Sequence, residues 1–149
     1  MRARNVYRIR RELDTLGFYQ PLHLLGTGNP LSIAVYTSVG ADCFDGLEWC
    51  RTVADHDKGR LYHFQQYDFF AWQSEQYAVS AIVREAVRSS KVEFSGKVVF
   101  HNLEFFASWM KELREHVSSN KVDRFLSDKL PGGTRDMKLL ETTVPEVFA

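Results

Sequence analysis

Residues 22 to 45 limit the fold of this chain more than any other stretch. Pro21 precedes Leu22-His23-Leu24-Leu25, a short and mostly apolar run of the kind a buried parallel strand uses. Gly26-Thr27-Gly28 closes it, and Asn29-Pro30 then supplies a helix N-cap with proline at the first helical position. Leu31, Ala34, Val35 and Val39 form one apolar stripe that Gly40 ends, and Ala41-Asp42-Cys43-Phe44 reads as a second short strand. Strand, glycine turn, helix and strand in that order predict a compact βαβ unit with its strands parallel. Asp45 falls at the carboxyl end of the second strand, where open α/β sheets and β/α barrels place their ligands. That position makes Asp45 the best candidate for a catalytic residue. The competing reading is an Asp-Gly turn, formed with Gly46.

The remaining pattern is mostly helical. Val6, Ile9, Leu13 and Leu16 recur at helical spacing, so a helix is expected from Ala3 to Leu16, with Gly17 ending it. Arg60 to Phe64 suits a further strand or hairpin, and Gln65 to Trp72 is aromatic and irregular. Ser74 is placed to cap a helix running through Ala78, Ile82, Val83 and Val87 to about Ser89. After Gly96 a longer helix is expected with Val99, Leu103, Phe106, Met110, Leu113 and Val117 on one face and Lys111, Glu112, Arg114 and Glu115 on the other. A last helix spans Lys121 to Leu130, Pro131-Gly132-Gly133 stops it, and residues 131–149 form a mobile tail of little periodicity after a domain of residues 1–130. Only two strands look like members of a parallel sheet, and two cannot bury both faces. Either a partner completes the sheet or the chain is a fragment.

Composition narrows the function classes. The chain has 149 residues, 44% hydrophobic and 26% charged, in the range of a soluble globular domain. No run approaches the roughly 18 apolar residues of a membrane span, and no apolar secretory core follows Met1-Arg2-Ala3-Arg4, so a cytoplasmic location is expected. Two cysteines, Cys43 and Cys50, allow neither a disulfide framework nor a four-cysteine zinc site. The 19 basic and 19 acidic residues cancel, which removes net charge as an argument for a polyanionic partner. Arg2, Arg4, Arg8, Arg10 and Arg11 crowd the first eleven residues and fit either a solvated helix face or a phosphate-contacting one. The run Asp55-His56-Asp57 is a poor metal site, because neighbours in an extended segment point to opposite sides.

Three segments carry a resemblance. Leu22-His23-Leu24-Leu25-Gly26-Thr27-Gly28-Asn29-Pro30, then Gly40-Ala41-Asp42-Cys43-Phe44-Asp45, then His101-Asn102-Leu103-Glu104-Phe105-Phe106 leading into Lys111-Glu112-Leu113-Arg114 resemble the carboxyl-terminal part of the tRNA-guanine transglycosylase family, in the family's order. The match covers most of residues 18 to 126. It implies an α/β chain that is the C-terminal portion of a TIM (β/α)8 barrel with appended C-terminal helices, incomplete in this chain, since a whole barrel takes on the order of 250 residues. The pattern looks closer to the branch that inserts 7-deazaguanine derivatives into DNA. Asp45 is followed by Gly46-Leu47-Glu48-Trp49-Cys50-Arg51 in place of the tRNA enzymes' Pro-Thr-Arg, of which only Arg51 survives. No cysteine follows Cys50, so the zinc site that would use His101 lacks its thiolates, and His101 is read as a helix-start or core histidine.

The resemblance implies base exchange. A carboxylate attacks the anomeric carbon of a guanosine nucleotide, guanine leaves, and a 7-deazaguanine base takes its place; no metal or redox cofactor is needed. Asp45 matches the nucleophile, and Leu25 and Gly26 match the part of the pocket that lies against the base. Arg51 matches a nucleic-acid-contacting arginine, with Lys58 and Arg60 following on the same loop; a solvated surface is the alternative, since Asp55 and Asp57 offset their charge. Gly28 is read as a backbone requirement, and Trp49 either stacks on a flipped base or packs against the fold. The implied partners are nucleic acid, DNA or tRNA, the deazaguanine base, and a second chain that completes the barrel. The family's general acid/base and most base-binding groups come from strands this chain lacks, so the isolated chain is expected to be inactive. The alternative is a non-catalytic accessory subunit or an inactive relic.

Overall fold

The computed structural model describes residues 2–63, 70, 72–73, 80–130 and 135–148. Its contacts divide into two compact units. One comprises residues 1–27, 31–45 and 113–149, the other residues 28–30 and 46–112.

In the first unit, α1 (Ala3–Leu13) ends one turn earlier than the apolar spacing suggests, because Asp14 is the C-cap and the chain tightens through Thr15 and Leu16. It buries Val6 and Arg10, while Ile9 stays 41% exposed. The burial of Arg10 is unexpected for a residue of a basic face. Its guanidinium donates to the Gln20 carbonyl at 2.8 Å, pairs with Asp14 at 2.8 Å and lies 4.9 Å from the Tyr19 ring centroid. Arg4 is held by Glu146 at 2.6 Å. Arg11 also reaches Asp14, at 3.8 Å, so three of the five amino-terminal arginines are paired within the fold.

The expected βαβ unit is present. Strand β1 (His23–Leu24) pairs in parallel with β2 (Cys43–Phe44), in the register His23 with Cys43 and Leu24 with Phe44, and α2 (Pro30–Ser38) connects them. Leu24, Ile33, Ala34, Val39 and Ala41 are buried, which fixes the register, since a one-residue slip would turn Leu24 to solvent. Asp42 ties the entry of the pair together by accepting from the Leu22 amide at 2.7 Å and from the Tyr19 hydroxyl, with Arg10 at 3.6 Å. Later in the unit, α6 (Val122–Lys129) buries Phe125 and Leu126. The segment expected to lack periodicity carries a helix, α7 (Arg135–Thr143), which packs against α1 and buries Met137 and Leu140, with Val144 buried just beyond. Those three residues are spaced three and four apart, so a short apolar stripe was present there.

In the second unit, a single turn, α3 (Glu48–Arg51), leads into β3 (Thr52–Ala54), which pairs antiparallel with β4 (Leu61–His63). The Asp55 carboxylate organises the intervening turn by accepting from the Asp57 and Lys58 amides. Beyond it, α4 (Ala81–Arg88) is capped by Ser80, whose hydroxyl accepts from the Val83 amide at 3.1 Å. The expected cap Ser74, most of the stretch 65–72 and the stop at Pro131-Gly132-Gly133 lie outside the described residues. The long helix α5 (Phe94–Ser118) begins before Gly96, and the division between units falls within it, after Glu112. Its buried line is Val98, His101, Asn102, Phe105, Trp109 and Leu113, whereas Leu103 and Val117, expected inside, are 52% and 47% exposed. Val53, Phe70, Val83, Val87 and Val98 form the apolar core of this unit.

Candidate active site

Three of the sequence-selected residues converge in the first unit. β1 ends at Leu24, Leu25 is 75% exposed, and Gly26 turns the chain with φ +68°, a conformation that an L side chain rarely adopts. The turn aims the Gly26 amide at the residue just past β2, and Asp45 Oδ1 accepts it at 2.5 Å. Asp45 Oδ2 lies 3.7 Å from His23 Nε2, on side chains that are 53% and 48% exposed. Asp45 therefore stands at the open carboxyl end of the parallel pair, anchored by one oxygen and presented to solvent by the other. A half-exposed carboxylate held in this way is accessible to an electrophile.

Gly46, which follows, is needed for close approach. A Cβ there would sit 2.8 Å from both Cα and N of Gly28, so the glycine loop and the turn after Asp45 touch through bare backbone. Gly28 thus serves backbone geometry, as its place in the loop suggests.

The basic residues belong to the second unit and do not share a loop. Arg51 ends α3 just before β3, whereas Lys58 and Arg60 flank the turn at the far end of the β3–β4 ribbon. Three strand residues separate these positions, about 10 Å of extended chain. All three side chains are exposed. Asp55, read as a surface charge offsetting them, is buried and committed to turn amides and to Gln73.

His101 is buried, one of the two places expected of it, but its bond to the β3 backbone and the role of Asn102 beside it were missed by sequence reasoning. Residue 55 pairs with residue 60 across the ribbon, so the polar groups of Ala54 point away from β4. Asn102 Oδ1 accepts from the Ala54 amide at 2.9 Å, and its Nδ2 donates to the carbonyls of Trp49, at 2.8 Å, and Thr52. His101 Nε2 donates to the Ala54 carbonyl at 2.9 Å. Burial pushes the His101 imidazole below its ordinary range, against the opposing effect of that bond. His101 is therefore neutral and interior, in the middle of a helix. The signal in the sequence was two adjacent polar residues with Val98 and Phe105 at helical spacing on either side.

Among the described residues, no group of three or more His, Cys, Asp or Glu side chains is placed to hold a metal ion. No helix among them is long and apolar enough to cross a membrane. A cavity of about 570 Å³ in the first unit is lined mainly by Leu31, Val35, Leu130, Leu139 and Leu140, and neither Asp45 nor Gly26 lines it. The solvent-facing end of β1–β2 offers the reactive groups; the cavity offers apolar walls.

With this geometry, comparison with known proteins gives one informative similarity. The chain is 24% identical over 123 residues to tRNA-guanine(15) transglycosylase of Thermoplasma volcanium. The match covers 76% of this chain but 18% of that protein. No family model matches the sequence. No solved structure matches it.

Proposed function

We propose that this chain is the carboxyl-terminal portion of a base-exchanging transglycosylase and that Asp45 is its nucleophile. The observation that carries the reading is the anchored, solvent-facing carboxylate at the carboxyl end of a parallel βαβ unit, in a chain similar to a transglycosylase. A lone pair of Asp45 forms a bond to C1′ of a guanosine nucleotide, and the bond from C1′ to the base breaks. Its electron pair leaves with guanine, which takes a proton from an acid outside this chain. A 7-deazaguanine nitrogen then attacks C1′, loses its proton, and displaces the carboxylate. Two inversions leave the configuration unchanged, and one hard displacement becomes two easier ones. Leu25 and Gly26 supply an apolar side chain and open backbone beside the flat base. Arg51, Lys58 and Arg60 contact phosphates.

Within this reading, the β1–β2 pair is part of an incomplete (β/α)8 barrel whose other strands come from a second chain. The absence of the Pro-Thr-Arg motif after Asp45 favours DNA over tRNA as substrate. The test is exchange of labelled 7-deazaguanine into guanine-containing DNA and tRNA. The chain is assayed alone and with the products of adjacent reading frames. Exchange only in the mixture, lost with Asp45→Asn, is the expected result. Full exchange by the Asp45→Asn mixture overturns the nucleophile assignment. The openness of the site favours one other reading, an accessory subunit that binds nucleic acid without reacting: Leu25 is 75% exposed and the Asp45 side chain 53% exposed. Nucleic-acid binding that never gains exchange with any partner would establish it.

A further inference from the structure

We infer that His23 is a positioning residue for the Asp45 carboxylate, an inference that rests on the transglycosylase reading for its catalytic meaning but not for its geometry. β1 and the turn after it approach Asp45 at two points. The Gly26 amide takes Oδ1 at 2.5 Å, and the His23 ring stands 3.7 Å from Oδ2. The register places His23 beside Cys43, and alternation along β2 carries Asp45 to the same face as Cys43. The side chain of Asp45 is thus directed toward His23 by backbone pairing that buried Leu24 enforces. Among the described residues, no donor hydrogen-bonds Oδ2, which is the oxygen left to attack carbon.

A nucleophile with one anchored oxygen still has to hold the other at a fixed angle, because reaction geometry decides how much proximity contributes. At 3.7 Å the imidazole is beyond direct hydrogen-bonding range and within that of an ion pair or a bridging water. His23 therefore limits rotation of the carboxylate without a direct hydrogen bond to Oδ2. Replacing the ring loosens the carboxylate and lowers kcat on the order of tenfold with KM unchanged, as loss of orientation does.

The pair can be read in the intact chain with no substrate present. Among the described residues, Asp45 is the ion-pair partner of His23 and Cys43 its register partner, so the experiment uses a Cys43→Ser background. The expected result is that the Asp45 carboxyl carbon resonance follows the pH inflection of the His23 ring nitrogens. In His23→Gln that inflection disappears, and the Asp45 Hα–Hβ couplings move toward rotamer averages. Asp45→Asn, observed at the His23 ring, provides the reciprocal measurement if the first variant fails to fold. An Asp45 carbon resonance indifferent to His23, with couplings unchanged in His23→Gln, overturns the inference while the nucleophile assignment stands. A coupled pair in a chain that never gains exchange supports His23 and overturns the transglycosylase reading alone.

Discussion

Among the described residues there are two ribbons of two strands, and they are finished in opposite ways. Each end of the parallel pair β1–β2 carries an exposed aspartate: Asp42 holds the Leu22 amide and Asp45 holds the Gly26 amide. The antiparallel pair β3–β4 is finished along one edge by His101 and Asn102, which are buried and neutral. The buried pair satisfies backbone groups that would otherwise be orphaned away from water, so its removal falls mainly on stability. The exposed aspartates hold backbone groups that water could also reach. Asp45 can therefore be altered with little stability cost and retains a reactive oxygen.

The largest effect expected is on activity. In an assembly that carries out exchange, Asp45→Asn reduces the rate by at least about a thousandfold, with the unfolding midpoint in urea nearly unchanged. A large loss of stability without loss of rate would reverse the contrast between the ribbons. Next is Asn102→Ala, which strands the Ala54 amide and two carbonyls and costs about 3 kcal/mol by urea unfolding.

The His101 imidazole sharpens the contrast through pH. Its folded-state affinity for protons is below the ordinary value of 6.5, so the unfolded chain binds more protons in that region and stability rises with pH. Stability is lost as pH falls below about 6.5. Urea midpoints at a series of pH values should show this slope, and His101→Gln should flatten it. The smallest effect is on nucleic-acid affinity. Arg51→Ala, or a single alanine change at Lys58 or Arg60, should each lower the salt-dependence slope by about 1. The Arg51 effect should add to either of the others because the ribbon separates them.

The βαβ unit was legible because it is local. Apolar runs, glycine turns and an Asn-Pro cap lie next to one another in sequence, and each specifies the same connection. What escaped depends on pairing between distant segments. β3 is only Thr52-Val53-Ala54, and its outer edge is completed by side chains from a helix nearly fifty residues away, as the separation from Ala54 to Asn102 shows. The buried line of α5 was displaced because the apolar spacing runs through Leu103 and Val117, whereas backbone groups in need of partners hold His101 and Asn102 inside. Position singled out Asp45, but not its neighbour His23, since their proximity exists only once the strand register is set.

The Asn102 side chain has a consequence for solubility as well as for stability. Bare strand edges template the pairing of one chain with another, which is the first step toward fibrils. By occupying the Ala54 N–H and the Thr52 carbonyl, a single amide makes the outer edge of β3 a poor template for a foreign strand.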